Sequence, residues 1–400
     1  MRSRSRWRGS FAGLMAVVLF PLIAFAQPAG ITAHHAVLMD LRSGSILYSR
    51  GADEPLHPAS MTKLMTLAVV FEALKSGKVT LDTEYPVSVH AWRTGGAPSG
   101  TSTMFAAVKS RIRVEDLMIG AAAVQGNDAC IVLAEGLAGS EAVFAERMNK
   151  RAAELGLMSA VFRNPTGFAH PEQKISVRDL TKLAAHIIGE YPAYYKYFAV
   201  PEITWSKVKQ HNRNPLLGSS LGVDGMATGF EESSGYGFVA AAVQNNQRLI
   251  AVVHGAKSEK DRVEDARKLL DWGFRSFADR LIFSNKTPIA HAAVFGGSRG
   301  SVPLVGQHDI HILALQSSGE RFTAKVEYQG PLRAPVRKGT EVARLRVYRG
   351  DQIALDVPLH AAEDVDAGGL AGRAFDATYE YLGNYIRAGF KRLLTRGAAS

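Results

Sequence analysis

Apolar residues recur with two different spacings along roughly the first two thirds of the chain, and these spacings predict alternating strands and helices. Residues 141–155 carry apolar side chains at three- and four-residue steps, which is typical of an amphipathic helix. Residues 239–243 and 249–253 are β-rich runs that predict two paired strands. Further elements are predicted in the same way: a hairpin over 33–47 and helices over 59–74, 114–120, 128–137, 177–188 and 262–274. Together they predict one α/β sandwich domain over residues 30–278.

The pattern changes after about Leu281, where short β-rich runs alternate with turn residues such as Gly296-Gly297 and Arg349-Gly350-Asp351. Regular short strands with intervening turns predict a small all-β sandwich domain, here over residues 284–362. The runs that carry this prediction are 292–295, 310–315, 323–328, 345–348 and 353–359. No residues with evident chemistry cluster in this part of the chain.

The last segment, residues 373–396, has the pattern of a basic amphipathic helix. Apolar residues recur at helical spacing on one side of the predicted helix: Phe375, Tyr379, Leu382, Ile386, Phe390 and Leu393. Basic residues occupy the other side of its later half: Arg387, Lys391, Arg392 and Arg396. Such a helix suits the surface of an anionic membrane, and the alternative is a helix docked on the β domain. Its terminal position after a flexible joint favours the membrane surface.

The first 26 residues have the composition of a signal peptide. Four arginines within the first eight positions precede a mostly apolar run, and Ala24-Phe25-Ala26 offers a small-x-small cleavage site. Pro21 interrupts the run, which is short for a membrane span. We therefore expect an exported protein whose mature chain begins near Gln27; an uncleaved membrane anchor is the alternative.

Export changes the interpretation of composition and charge. The net charge is +10, from 47 lysines and arginines against 37 acidic residues. Such an excess of positive charge is typical of proteins that bind nucleic acid, anionic lipid or an acidic polymer. Export makes nucleic acid the least favoured of these partners. The chain has 1 cysteine, Cys130, so no internal disulfide is expected. Stability must then come from an apolar core, which a hydrophobic fraction of 46% supports.

Candidate chemistry is concentrated at Ser60-Met61-Thr62-Lys63, at the start of the apolar helix predicted over 59–74. Ser60 and Lys63 are three residues apart and therefore share one helix face. A lysine within an apolar helix is costly unless it is neutral or paired, and a neutral lysine beside a hydroxyl is a base beside a nucleophile. The alternative is a capping serine followed by a lysine that extends to solvent.

Two further stretches complete a pattern. Gln125-Gly126-Asn127-Asp128 precedes a helix, and Ala227-Thr228-Gly229-Phe230 precedes a strand. With Ser60-x-x-Lys63 they resemble the three boxes of penicillin-recognising serine enzymes, Ser-x-x-Lys, Ser-x-Asn and Lys-Thr-Gly. The chain is most similar to the low-molecular-mass D-alanyl-D-alanine carboxypeptidases, over nearly the whole mature length. The resemblance implies a β-lactamase/transpeptidase-like sandwich of antiparallel sheet and helical region, a small β sandwich and an amphipathic tail.

The resemblance also implies a role for each matching residue. Ser60 would attack the bond between two terminal D-alanines of a peptidoglycan stem peptide, and Lys63 would take the hydroxyl proton. The N–H groups of Ser60 and Phe230 would hold the oxyanion. Asn127 would bind substrate amides and Lys63, while Thr228 in the Thr228-Gly229 pair, with a nearby cation, would receive the terminal carboxylate. No metal or cofactor is implied, β-lactams would be covalent inhibitors, and the protein would lie in the periplasm on the outer face of the cytoplasmic membrane.

Two of the three boxes depart from the family pattern. Gln125 occupies the second-box serine position and cannot relay a proton; with a one-residue slip, the serine after Gln125 is instead deleted, and in both cases the hydroxyl is absent. Ala227 replaces the third-box lysine. A missing lysine weakens the carboxylate site and removes a like charge near Lys63, which predicts that Lys63 is easier to protonate and a poorer base. Lys257 is the candidate for a compensating cation.

These departures leave two functional hypotheses. One is an active exported serine D-Ala-D-Ala carboxypeptidase, with normal or reduced activity, favoured by the retained Ser60, Lys63, Asn127 and Thr228-Gly229. The other is a non-catalytic protein that binds peptidoglycan or β-lactams or acts as a scaffold, favoured by Gln125 and Ala227. A β-lactamase is the least favoured, because no deacylating glutamate can be placed.

Overall fold

The computed structural model describes residue 28 and residues 30–316, 322–350 and 352–369. The predicted signal peptide over 1–26 and the predicted amphipathic helix over 373–396 therefore lie outside the described residues. Within the part of the chain that is described, none of the helices is long and apolar enough to cross a bilayer.

The first domain combines a five-stranded antiparallel sheet with helices. Its strands are β1 (His35–Asp40), β2 (Ile46–Arg50), β3 (Glu84–Pro86), β4 (Arg111–Arg113), β5 (Glu202–Trp205), β6 (Val208–His211), β7 (Val223–Glu231), β8 (Gly235–Gln244) and β9 (Gln247–Ala256). Its helices are α1 (Lys63–Lys75), α2 (Val89–Gly95), α3 (Val114–Ala123), α4 (Asn127–Ala138), α5 (Glu141–Glu154), α6 (Val177–Glu190), α7 (Pro192–Tyr195) and α8 (Glu259–Ser276). The main sheet has the order β2-β1-β9-β8-β7, which makes β7 an edge strand.

The sheet has two buried faces because alternate residues of a strand point to opposite sides. Val37 and Val252 face the larger core, which contains α1 and most other helices. Leu38 and Val253 face α8, where Leu269 is fully buried. The sheet is thus sandwiched between helical layers, and the predicted α/β sandwich is confirmed.

The paired strands predicted around residues 239–253 are confirmed by the β8–β9 ladder, in which Val239 lies opposite Val252. The helices predicted over 141–155 and 177–188 are confirmed as α5 and α6. The short strands β5 and β6 were not predicted, because most of their side chains are exposed or only half-buried and leave no apolar alternation.

The second domain is all-β, as predicted. Its strands are β10 (Phe277–Phe283), β11 (Ala290–Phe295), β12 (Ser301–Val305), β13 (Ile310–Leu315), β14 (Phe322–Glu327), β15 (Leu332–Arg333), β16 (Glu341–Arg349) and β17 (Gln352–Ala361). They form a β10–β13 pair and a six-stranded sheet. The boundary predicted after residue 278 falls within β10, which begins at Phe277 directly after α8 and pairs with β13.

Candidate active site

Ser60 lies in a tight 3₁₀ turn, Ala59–Thr62, that leads into α1 at Lys63. The helix predicted from residue 59 therefore starts with this turn and becomes α-helical only at Lys63. Ala59 has φ 48°, so the chain enters the turn through a left-handed residue. The turn and α1 are almost entirely buried, which fixes the position of Ser60 between the helices and the sheet.

Lys63 contacts the nucleophile candidate directly. Its Nζ donates hydrogen bonds to Ser60 Oγ at 2.8 Å and to the carbonyl oxygen of Thr166 at 2.6 Å. The Lys63 side chain is only 1% exposed, and neither the turn nor α1 has a side-chain cap. The alternative of a capping serine and a lysine extended to solvent is therefore wrong.

Burial lowers the pKa of Lys63 to about 8, while nearby Cys130 and Asp128 act weakly in the opposite direction. The low-dielectric surroundings disfavour the ammonium form, and no second lysine is needed for this effect. Burial is therefore sufficient to lower this pKa, and the expectation that the missing third-box lysine makes Lys63 easier to protonate stays a prediction. At pH 7 about a tenth of such lysines are neutral, which is enough to supply a base.

The loop Asn164-Pro165-Thr166-Gly167, which sequence reasoning missed, holds the other side of Lys63. Asn164 Oδ1 accepts hydrogen bonds from the Gly167 N–H at 2.8 Å and from Thr166 Oγ1 at 3.0 Å. Gly167 has φ 88°, and a Cβ there would overlap the Ala59 carbonyl and lie 3.0 Å from the Ser60 nitrogen. Only glycine fits this position, and an Asn-Pro-x-Gly turn signal was the available clue.

Strand β7 brings the third box against the Ser60 turn. A Cβ on Gly229 would lie 2.8 Å from the Pro58 carbonyl oxygen and 3.3 Å from the Ser60 nitrogen. The backbone that follows Thr228 is therefore adjacent to the Ser60 N–H. Ala227 is buried in the main core, and Phe230 is 53% exposed and stacked on Tyr236 with ring centroids 4.2 Å apart.

Gln125 and Thr228 meet across the site. Gln125 has φ 54° and is buried just before α4, and Thr228 Oγ1 donates to Gln125 Oε1 at 3.4 Å. This long hydrogen bond links the second-box position to β7. The glutamine side chain therefore fills space beside Thr228 and engages its hydroxyl.

Asn127 begins α4, and its Nδ2 donates to Thr101 Oγ1 at 2.9 Å. Its Oδ1 is buried without a hydrogen-bond partner. The expected contact between Asn127 and Lys63 is absent, because the hydrogen bonds of Lys63 go to Ser60 and Thr166.

Arg262 is a cation that contacts the Thr228-Gly229 segment. It is 6% exposed, donates to the Gly229 carbonyl at 3.0 Å and to Glu259 Oε1 at 2.6 Å, and lies 5.4 Å from the Tyr236 ring centre. Lys257 is exposed, directly after β9, and its role as the compensating cation stays a prediction. A sequence signal existed, since Arg262 falls on the apolar stripe of α8 at helical spacing from Ala266, Leu269 and Gly273.

The chain is similar to known proteins over most of its length. The chain matches the family described as D-alanyl-D-alanine carboxypeptidase (peptidase S11) over residues 23–258, and the C-terminal domain of penicillin-binding protein 5 over residues 277–367. The D-alanyl-D-alanine carboxypeptidase DacC of Escherichia coli K12 is 37% identical over 92% of this chain and 94% of that protein.

Solved structures show the same relationship. Penicillin-binding protein 5 from Haemophilus influenzae is 35% identical, with a TM-score of 0.73, over 86% of this chain and 100% of that chain. Penicillin-binding protein D2 from Listeria monocytogenes, in its ampicillin-bound form, is 28% identical with a TM-score of 0.54 and covers 62% of this chain and 99% of its own.

Proposed function

Because the chain belongs to the D-alanyl-D-alanine carboxypeptidase family, we propose that it is an exported serine carboxypeptidase that removes the terminal D-alanine of a peptidoglycan stem peptide. One observation carries the proposal: the buried Lys63 Nζ lies 2.8 Å from Ser60 Oγ. A base within hydrogen-bond reach of a hydroxyl is the arrangement that nucleophilic acyl transfer needs. A protein that only binds has no need of this buried pair.

The reaction proceeds in two steps. Ser60 Oγ forms a bond to the penultimate D-alanine carbonyl carbon while its proton passes to neutral Lys63. The N–H groups of Ser60 and Phe230 stabilise the oxyanion. The C–N bond then breaks, the amine of the terminal D-alanine takes the proton that Lys63 accepted from Ser60, and an acyl-enzyme on Ser60 remains. Water then attacks this ester and gives a proton to neutral Lys63. Lys63 returns that proton to Ser60 Oγ as the ester bond breaks, which releases the shortened peptide with a free carboxylate.

The pH dependence of acylation follows from Lys63, whose pKa is lowered to about 8. The neutral base is present above this pKa and is lost as the pH falls through it, so the acylation rate rises about tenfold from pH 6 to pH 7 and levels off above about pH 9. Rates of labelling by a fluorescent penicillin between pH 5.5 and 9.5 measure this profile. A flat profile between pH 6 and 8 would contradict the assignment of Lys63 as the base.

The terminal carboxylate is received by Thr228 together with Arg262. Arg262→Gln keeps a hydrogen-bond donor but removes the charge, so KM for a stem pentapeptide rises by about 10-fold or more. Lys257→Gln is the matched control, since it removes one exposed charge of the same sign, and it leaves KM within about twofold. If the two substitutions changed KM by the same factor, Arg262 would not be the residue that binds the terminal carboxylate.

Reduced activity accompanies the two altered boxes. Gln125 has no hydroxyl that relays a proton, and it engages the Thr228 hydroxyl that the carboxylate needs. Ala227 supplies no positive charge. Positioning and proton transfer each contribute orders of magnitude to such reactions, so turnover is slow relative to enzymes with intact boxes.

The same site accounts for the proposed partners. A β-lactam carries a strained amide that Ser60 opens to a stable ester, which makes β-lactams covalent inhibitors; the Listeria relative has been solved with ampicillin bound. Export by the N-terminal segment places the protein in the periplasm. The basic C-terminal segment then holds it on the outer face of the cytoplasmic membrane.

Release of D-alanine from a stem pentapeptide tests the proposal, with Ser60→Ala as the control. Release that the control lacks supports it. No release, together with binding of the same peptide, would favour the second candidate, a non-catalytic peptidoglycan-binding or scaffold protein. The Gln125–Thr228 contact across the site is the observation that favours this second candidate.

A further inference from the structure

The carbonyl group of His57, three residues before the candidate nucleophile, accepts hydrogen bonds from two side chains. His254 Nε2 lies 3.0 Å from this carbonyl oxygen, and Ser234 Oγ donates to the same oxygen at 3.0 Å. A carbonyl only accepts, so the Nε2 atom of His254 carries its proton. Both lone pairs of the His57 carbonyl are therefore occupied, one by β9 and one by the turn between β7 and β8.

These two donors take the place of a bond that the turn would otherwise make within itself. In a 3₁₀ turn, each N–H bonds to the carbonyl three residues earlier, which would pair Ser60 with His57. Met61 makes the corresponding bond, to the Pro58 carbonyl at 3.1 Å, and the Ala59 N–H donates to His57 Nδ1 at 3.2 Å. The Ser60 N–H, in contrast, has no hydrogen-bond partner among the residues that the structure describes.

The free N–H of Ser60 also borders open space. A Cβ on Gly167 would lie 3.0 Å from the Ser60 nitrogen, and one on Gly229 would lie 3.3 Å from it. Because both neighbours are glycines, no side chain covers this nitrogen from either side. A free backbone N–H beside the nucleophile is the group that binding of an oxyanion requires.

His254 is held in the form that this contact needs. Its side chain is 1% exposed, and burial lowers its pKa to about 4. The ring therefore stays neutral across the pH range of an acylation assay, with its proton on Nε2. A buried polar ring costs free energy unless it is hydrogen-bonded, and the His57 carbonyl offsets that cost.

We propose that His254, together with Ser234, is a positioning residue that occupies the His57 carbonyl and so keeps the Ser60 N–H free to stabilise the oxyanion. The inference rests on the proposed function for the acyl-transfer step. It assigns to the end of β9 a role in acylation that is separate from proton transfer by Lys63, so the pH profile of acylation does not change when His254 is replaced.

The variants His254→Leu and His254→Gln separate this role from simple packing. Leucine fills similar space but donates no hydrogen bond, so the Ser60 N–H pairs with the released carbonyl and the rate constant of penicillin acylation falls about tenfold or more. Glutamine places an amide nitrogen near the position of Nε2 and keeps the rate constant within about threefold.

His35→Leu is the matched control. His35 lies opposite His254 in the β1–β9 ladder, is 9% exposed and pairs through Nδ1 with the Gly51 carbonyl at 2.9 Å. This substitution also removes a buried hydrogen bond between a ring and a carbonyl, but it leaves the His57 carbonyl occupied. Its acylation rate constant should stay within about twofold of the parent value.

Acylation is followed over a range of penicillin concentrations in the full chain. A loss of folded protein lowers the amount of label, whereas a lost oxyanion donor lowers the rate constant of the protein that does react. An unchanged rate constant in His254→Leu, or an equal loss in His35→Leu, overturns the inference. Should His254→Leu fail to fold, Ser234→Ala serves instead, with an expected loss of about three- to fivefold.

The Ser60 amide proton is measured directly by nuclear magnetic resonance, which does not depend on activity. Labelling of alanine carbonyl carbon and serine nitrogen selects the Ala59-Ser60 and Ala399-Ser400 pairs, and Ser60→Ala identifies the first. We expect rapid exchange with solvent in the parent, and exchange at least tenfold slower in the double variant His254→Leu with Ser234→Ala.

The two measurements distinguish the inference from the proposed function. If the parent forms no penicillin adduct, the proposed function fails, and the exchange rate of the Ser60 amide still decides the inference. A Ser60 amide that is already protected in the parent, or that exchanges equally fast in the double variant, overturns it. Slower exchange in the double variant supports it.

Discussion

Gly167→Ala is expected to reduce the rate of penicillin acylation at least 100-fold and to lower the free energy of unfolding by about 2–5 kcal/mol. Gly167 has φ 88°, and its added Cβ would overlap the Ala59 carbonyl next to the nucleophile. Relief of that overlap must move either the Ser60 turn or the Thr166 carbonyl that holds Lys63. Acylation kinetics and urea unfolding measure the two effects.

Gly156→Ala is the matched control for backbone strain. Gly156 also has a positive φ, 64°, but no atom lies within 4 Å of its added Cβ. It should therefore lose only about 1–2 kcal/mol of stability and keep its acylation rate. If both alanine variants retained full acylation, close packing of Gly167 on the Ser60 turn would not be what positions the nucleophile.

The double substitution Gln125→Ser with Ala227→Lys is expected to raise the rate of D-alanine release about 100-fold or more. The serine returns a hydroxyl that relays protons and frees Thr228 from its contact with Gln125. The lysine returns a charge for the carboxylate and lowers the pKa of Lys63 further by like-charge repulsion. The rise in rate should therefore begin at a lower pH than in the parent chain.

Gln125→Ala separates the two roles of Gln125, because it removes the bulk without adding a hydroxyl. A small gain from Gln125→Ala and a large gain from the double variant would locate the defect in proton relay and charge. Equal rates in the parent and the double variant would show that the altered boxes do not limit turnover.

The Ser60–Lys63 pair could be predicted from the sequence because its geometry is local. Residues three apart at the start of a helix lie on one face, and an apolar run predicts burial. The same logic located α5, α6 and the β8–β9 ladder, whose periodicities are strong. Short exposed strands such as β5 and β6 lack that signal.

Contacts between residues that are far apart in the sequence could not be predicted from local patterns. The Thr166 carbonyl lies 103 residues from Lys63, and Arg262 lies 33 residues from the Gly229 carbonyl that it contacts. Lys257 was chosen by position along the chain, whereas α8 presents Arg262 on its buried face. The pKa of Lys63 was argued from a missing charge, whereas the larger effect is burial, which only the packed fold reveals.

The most direct test of the account is the intact mass of the mature protein after incubation with a penicillin at pH 8, beside Ser60→Ala. The account predicts one covalent adduct per chain, located on Ser60 by peptide mapping and missing from the control. The absence of an adduct at saturating penicillin, or an adduct that persists in Ser60→Ala, would contradict the claim that Ser60 and Lys63 form a working nucleophile and base.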